Sequence, residues 1–320
     1  MLTSIGATSA GLSGDPAPAR LTVGIVSAGR VGTAIGAALE RAGHVVFGVS
    51  AVSAASVNRA QTRLPESEIL PVDQVAARSE LLVLAVPDAE LETIVAGLAA
   101  TESVKPGTLV VHTSGANGIG ILAPLTARGA TPMAIHPAMT FTGHDEDTAR
   151  LSNACFGITA ADEIGCAIAQ SLVIEIGGEP VRVDEVNRTL YHAALAHGSN
   201  HLVTLVVDAV AALRVALRGQ ELLGQQLVDD QPNGLAERML APLLSAALDN
   251  ALRRGPSALT GPVARGDAVA VAAHLRVLDE VDPQIAASYR AMSLRSAQRV
   301  AGRSLDGGAM SQLIDLLEER

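Results

Sequence analysis

Aromatic side chains are almost absent: Phe, Tyr and Trp together make up 2% of the 320 residues. A core built from this chain must therefore be filled by Ala, Val, Leu and Ile. Lysine is scarcer still. Lys105 is the only one, although arginine is plentiful, a bias we read as GC-rich coding. It leaves almost no choice for a catalytic lysine, and Lys105, followed by Pro106 in a loop before a strand, sits at the wrong end of a sheet to be one. Positive charge is in deficit as well. The formal net charge is -10, which argues against nucleic acid or an anionic membrane as partner, since such surfaces need concentrated positive charge. The two cysteines, Cys155 and Cys166, lack metal-site spacing and suit a reducing cytoplasm, so no metal site is expected. The opening MLTSIGATSAGLSGDPAPAR has no basic stretch followed by an apolar one. Residues 1–20 read as a flexible tail and not as a secretory leader.

What is present is ample apolar material: 48% of residues are hydrophobic and 18% charged, enough for two domains with sizeable cores. From residue 21 to 184, apolar strand-like runs alternate with helical segments. LTVGIV (21–26), HVVFGV (44–49), a short piece near Ile69, LLVLAV (81–86), TLVVHT (108–113), TPMAIH (131–136), CFGITA (155–160) and PVRV (180–183) read as strands. Helices are expected between them, among them 31–43 and 161–175. Continuous apolar strands suit a parallel sheet covered on both faces, so residues 21–184 predict a Rossmann-type, doubly wound, mostly parallel α/β domain. After Asp184, long Ala/Leu-rich helical patterns take over, broken by Gly/Pro clusters near 232–234, 255–262 and 282–283. Residues 185–320 thus predict an all-α domain. Its most apolar stretch, 202–217, contains Asp208 and Arg214 and is expected to be a buried helix, not a membrane span.

VSAGRVG (26–32) lies between the first strand and its helix. The dinucleotide-binding fingerprint is G-x-G-x-x-G in that context, and here Ser27, Gly29 and Gly32 take the three glycine places, with Ala28, Arg30 and Val31 between them. The second glycine admits the pyrophosphate close to the backbone, the third lets helix and strand pack, and the helix N-terminus offers free N–H groups. After the second strand, where NAD enzymes usually place an acid for the ribose hydroxyls, the sequence has Ser50, Ser53 and then Arg59. No acid would repel a 2′-phosphate there, and Arg30 adds positive charge, so NADP is favoured over NAD. Val86 and Pro87 in LAVPD, Ser114 in HTSGA, and His136 in IHPAMTF sit at consecutive strand ends. Those carboxyl ends line the crevice where cofactor and substrate meet.

GIVSAGRVG, LAVPD, VVHTSGA and AIHPAMTF resemble the phosphogluconate dehydrogenase-like superfamily. With LYHAALAHGSNHLV (190–203) and LTGPVARGD (259–267) the resemblance narrows to a bacterial family in which a Rossmann-like domain precedes a helical domain of unknown function, and it covers about residues 21–300. Some members are similar to an alternative ketopantoate reductase, which implies NADPH-dependent reduction of 2-oxopantoate to pantoate and a homodimer formed through the helical domain. Two positions depart from the pattern: Ser27 replaces a glycine, and His197 stands where the family is more often apolar.

Reducing a ketone requires a hydride donor, an acid for the forming alkoxide and a clamp for the substrate carboxylate. His192, His197, Ser199, Asn200 and His201 fall in one predicted helix; His197 and His201, four apart, share a face. His192 is the first candidate acid, an imidazole being suited to proton transfer near neutrality, with His136 as the second. Asn200, supported by the resemblance, is the residue expected to hold the substrate. Ser114, His197 and Arg265 are candidate substrate contacts, the last because a guanidinium fork fits a carboxylate. Asp267 reads as the N-cap of a helix over 268–280. The leading expectation is an NADPH-dependent oxidoreductase of a small 2-oxo acid. Alternatives are reduction of another small carbonyl or imine, a deazaflavin-linked reaction, or an NADP-binding sensor or scaffold without turnover.

Overall fold

All four residues from Leu81 to Leu84 are buried. Leu81 and Val83 enter one apolar cluster and Leu82 and Leu84 another. A strand with a core on each side cannot alternate apolar with polar residues, which is why these strands read as unbroken hydrophobic runs. The computed structural model describes residues 20–218, 221–222, 225–226, 234–301 and 307–318; the tail expected over 1–20 thus lies, but for Arg20, outside the described residues.

The first half runs β1 (Thr22–Val26), α1 (Arg30–Arg41), β2 (Val45–Val49), α2 (Ala54–Arg63), β3 (Glu68–Ile69), α3 (Val72–Arg78), β4 (Leu81–Leu84), α4 (Asp88–Ala100), β5 (Leu109–His112), α5 (Ala123–Thr126), β6 (Thr131–Pro137), α6 (Glu146–Leu151), β7 (Cys155–Ala160), α7 (Glu163–Glu175) and β8 (Glu179–Arg182). One sheet contains all eight strands in the order β3-β2-β1-β4-β5-β6-β7-β8. Every pairing is parallel except β6 with β7. The order reverses direction between β1 and β4, the switch point at which an open α/β sheet leaves a crevice beyond its strand ends. This is the Rossmann-type doubly wound fold expected from the sequence. Val23, Ile25, Val111, Met133 and Phe156 build the core on one face, and Val26, Val110, Leu91, Leu98 and Leu122 that on the other.

A long helix, α8 (Arg188–Ala216), follows. The chain divides into two units, the first ending at Ala196 and the second beginning at His197, and not at 184/185 as the loss of strand-like runs suggests. The first turns of α8 group with the sheet because Arg188 and Tyr191 are packed against it, as described below. In the second unit, a two-residue antiparallel pair, β9 (Glu221–Leu222) with β10 (Gln225–Gln226), interrupts the helices; it is too short to leave a period in the sequence. Then come α9 (Leu235–Arg254), α10 (Gly261–Arg265), α11 (Ala268–Val281), α12 (Pro283–Val300) and α13 (Gly307–Glu318). Val271, Leu275, Ala297, Val300, Met310 and Leu313 form the core of this unit. Asp267 caps α11 by accepting from the Ala270 N–H at 3.0 Å, as expected. Gly261 and Pro262, in a Gly/Pro cluster that breaks the helical pattern in sequence, open α10; proline fits a first helical turn, which needs no N–H from it. The burial expected of residues 202–217 is not observed. Leu202, Val203, Leu205 and Val207 are exposed, because hydropathy reports what a side chain prefers and not whether the chain supplies a cover for it.

Candidate active site

The turn after β1 is held from beneath. Ser27 donates its N–H to Ser50 Oγ at 2.8 Å, Ala28 donates to Ser50 O at 2.8 Å, and Arg59 Nε donates to Ala28 O at 3.3 Å. Ser27 adopts φ 81°, the left-handed region that glycine enters freely and other residues enter at a cost. The first glycine of the fingerprint is thus replaced in sequence while its backbone conformation is retained. Gly29 and Gly32 have separate tasks. A Cβ on Gly32 would lie 2.2 Å from Ser27 O and 3.1 Å from Ile25 Cγ2, so this glycine is required by helix–strand packing. A Cβ on Gly29 would meet only Ser27 Oγ, at an ordinary 3.5 Å. The protein does not need that space, and a pyrophosphate approaching the backbone does. Gly29 is the N-cap of α1 and gives no side-chain cap, and the first turn of α1 has no acid. The N–H groups there remain available to an anion, so the residues present fit a dinucleotide.

The other residues proposed for the cofactor are sorted by their bonds. The Ser50 hydroxyl serves the turn, and Ser53 caps α2 by accepting from Ser56 N–H at 3.1 Å. Arg30 is exposed at the start of α1, its stem against Gly143. Val31 is half-buried. Val86 packs on the second apolar cluster, and Pro87 is the N-cap of α4. Residues 50–63 carry Arg59 and Arg63 and no carboxylate. Lys105 is exposed in the loop between α4 and β5, at the amino edge of the parallel strands and opposite this turn.

Beyond the ends of β5 and β6 lies a second polar group, which sequence reasoning found only in part. His112, fully buried at the end of β5, accepts from Ser114 N–H at Nδ1 (3.2 Å) and therefore donates from Nε2 to Gly118 O (2.9 Å). Burial lowers its pKa to about 4. It is a neutral brace for the loop 113–118. Glu185 braces the same loop from the other side, accepting from the Ile119 and Gly120 N–H groups at 2.8 and 2.9 Å. Ser114, buried, accepts at Oγ from Asn117 N (3.1 Å) and Nδ2 (3.0 Å).

Arg188, 1% exposed, clamps this loop to β7. Its Nε donates to Asn117 O at 3.0 Å and its Nη1 to Gly157 O at 3.1 Å, and Nη2 donates to Ser114 O. These acceptors are backbone carbonyls, so the positive charge is held without a hydrogen-bonded carboxylate. Burial lowers the Arg188 pKa, with Tyr191, Glu185 and Asp88 acting in the other direction; a guanidinium stays charged. One turn on, Tyr191 lies over Gly157, where a Cβ would come within 2.6 Å of its Oη. Tyr191 Oη and His136 Nδ1 are 2.9 Å apart. Burial pushes the phenol pKa up, with Arg188 pulling it down. Burial also lowers His136 to about 4, helped by Arg188 and His192. His136 is therefore neutral at pH 7, a hydrogen-bond partner and not an imidazolium acid. The His192 ring stands 6.1 Å from that of His136, and Gly115 leaves room for both, since a Cβ there would fall 2.6 Å from His192 Cδ2 and 3.0 Å from His136 Nε2.

The first unit thus brings together Ser114, His136 and His192 with Arg188 and Tyr191. Neither of the last two was anticipated. Tyr191 carried a signal: it is one of only two tyrosines and adjoins His192. Asn200, His197 and Arg265 belong to the second unit, all exposed, and His197 is paired with His201. That unit also holds a cavity of about 520 Å³ with largely apolar walls, among them Leu205, Leu259, Tyr289 and Met292; His274 Nδ1 and Tyr289 Oη are 2.8 Å apart. Among the described residues no group of three or more His, Cys, Asp or Glu is arranged to hold a metal.

Comparison with known proteins agrees with this architecture. A Rossmann-like domain matches residues 7–137, and a domain of unknown function, DUF2520, matches residues 154–296. The two matches follow one another in the order the resemblance implied, a Rossmann-like domain and then a domain of unknown function. No curated protein matches the sequence. Among solved structures, a provisionally named NADP oxidoreductase from Bacteroides fragilis superposes with a TM-score of 0.68 at 18% identity, covering 87% of this chain and 98% of that one. A reductive aminase from Aspergillus terreus, in complex with NADPH and ethyl-5-oxohexanoate, gives 0.63 at 19% identity over 93% and 99%. A pyrroline-5-carboxylate reductase from Coxiella burnetii gives 0.51 at 14% identity over 88% and 99%. These likenesses establish a shared fold.

Proposed function

We propose that this protein is an NADP-dependent oxidoreductase that reduces the C=O or C=N bond of a small carboxylate, a 2-oxo acid such as 2-oxopantoate in the first instance. The observation that carries the reading is the Tyr191–His136 pair beside the buried Arg188, on the same sheet edge as a glycine turn whose Gly29 leaves space only a ligand needs. Bound at that turn, the reduced nicotinamide dinucleotide would supply hydride. Arg59 and Arg30, with no acid after β2, support NADP over NAD. The fold shared with an NADPH-bound reductive aminase and a pyrroline-5-carboxylate reductase supports a reductase, and makes an imine the second substrate class.

The proton comes from this chain. With Nδ1 protonated, neutral His136 donates to Tyr191 Oη and frees the phenol O–H to protonate the forming alkoxide or amine. As the His136 proton moves to Oη, Nε2 takes up a proton from solvent on the Gly115 and His192 side, so the ring passes from one neutral tautomer to the other. The Arg188 charge favours an anionic substrate and stabilises negative charge on Oη during the transfer. The reading includes self-association through the helical unit, supported by the exposed apolar side chains of α8.

The test is oxidation of NADPH by purified protein with 2-oxopantoate, a panel of 2-oxo acids and 1-pyrroline-5-carboxylate, with NADH in parallel. Turnover with any of these, faster with NADPH, is the expected result. Tight NADPH binding by calorimetry without turnover on the whole panel would replace the reductase with a nucleotide sensor. Failure to bind either dinucleotide would overturn the reading of the turn itself.

A further inference from the structure

His197 and His201 stand apart from the site just described. They are four residues apart on α8, so both rings project from one face of the helix. Their Nδ1 atoms are 2.8 Å apart, and the ring centroids are 5.0 Å apart with an interplanar angle of 85°. Both side chains are exposed, and a Cβ on the intervening Gly198 would meet nothing within 4 Å, so the helix surface beside the pair is open. Two nitrogens at this distance need either a shared proton or a shared cation. An ion bound at about 2.0–2.1 Å by two imidazoles holds their nitrogens roughly 3 Å apart when the two bonds are near perpendicular. The rings already have that spacing, and helix geometry supplies it without any loop having to order.

We propose that His197 and His201 chelate one divalent transition-metal ion of the zinc, nickel or copper type. Neutral imidazole is the donor these ions favour, whereas magnesium and calcium prefer oxygen. Binding needs only that the ring donating from Nδ1 transfer its proton to Nε2, after which both Nδ1 lone pairs face the ion. Among the described residues no third ligating side chain completes a closed site. The remaining positions are therefore open to water or to a small anionic ligand, the arrangement of a labile site and not of a structural one. A formal net charge of -10 on the chain favours cation uptake. The proposal is independent of the reductase reading.

The test uses the full, untagged chain stripped with a chelator and titrated calorimetrically with Zn²⁺ and Ni²⁺, with Mg²⁺ as the oxygen-preferring comparison. One transition ion per chain is expected, and no heat from Mg²⁺. His197→Gln and His201→Gln should each weaken binding by at least about tenfold, while His144→Gln, at an exposed histidine elsewhere, leaves it unchanged. Because both positions are exposed, far-ultraviolet circular dichroism should be the same for all variants, and Cu²⁺ bound to the wild type should show nitrogen coordination by electron paramagnetic resonance that is lost in the double variant. Absence of binding at millimolar Zn²⁺ and Ni²⁺, or binding that survives both substitutions, would overturn the site.

Discussion

Ser27 concentrates the problem at the scale of a single residue. At φ 81° a serine carries a backbone cost of about 1 kcal/mol that glycine escapes. Ser27→Gly is therefore expected to raise the unfolding free energy by that amount, read as a higher urea midpoint, without weakening NADPH binding; a lower midpoint would show that the hydroxyl contributes more than the strain costs. The two true glycines should separate cleanly. Gly32→Ala drives a methyl into Ser27 O and should destabilise the fold, whereas Gly29→Ala should melt like the wild type and lose NADPH affinity. Equal melting losses in both would remove the argument for a ligand at Gly29. Tyr191→Phe is expected to lower kcat about 10²- to 10⁴-fold, the usual worth of a positioned proton donor, with little change in NADPH binding. Gly29 and Gly32 were legible in the sequence because a strand–turn–helix context gives their spacing meaning. Arg188 was not, since it acts through backbone carbonyls at 114, 117 and 157, which no side-chain motif encodes.

At the scale of elements, the strands were legible because burial on both faces erases polar residues from them. The first turns of α8 were not, because a helix that begins by packing on a sheet looks in sequence like one that begins in water. Arg188→Met should cost at least about 3 kcal/mol in urea, because it removes three hydrogen bonds to backbone carbonyls, two of them buried. His112 and His136 add a pH dependence. Both have native pKa values lowered from 6.5 to about 4, so below pH 6.5 the unfolded chain binds protons that the native state refuses. Stability should fall as pH drops from about 6.5 to about 4, by an amount on the order of 3 kcal/mol per histidine when complete. His136→Gln should flatten part of that slope; a urea midpoint unchanged between pH 7 and pH 4.5 would contradict the burial of both rings.

For the whole molecule, the exposed side of α8 sets the expectation. Leu202, Val203, Leu205 and Val207 in water leave an apolar surface that a second copy would cover, so light scattering is expected to report a dimer, and Leu202→Glu with Leu205→Glu a monomer. A wild-type monomer at high concentration would discard self-association. Hydropathy showed that these residues are apolar, but not what covers them. The scarcity of lysine has a practical side. Apart from the α-amine, Lys105 is the one amine in the chain, exposed on the edge of the sheet opposite the glycine turn. Once the α-amine is blocked, amine-coupled attachment to a sensor surface will therefore fix the molecules largely in one orientation, with the turn directed away from the support and open to whatever is passed over it.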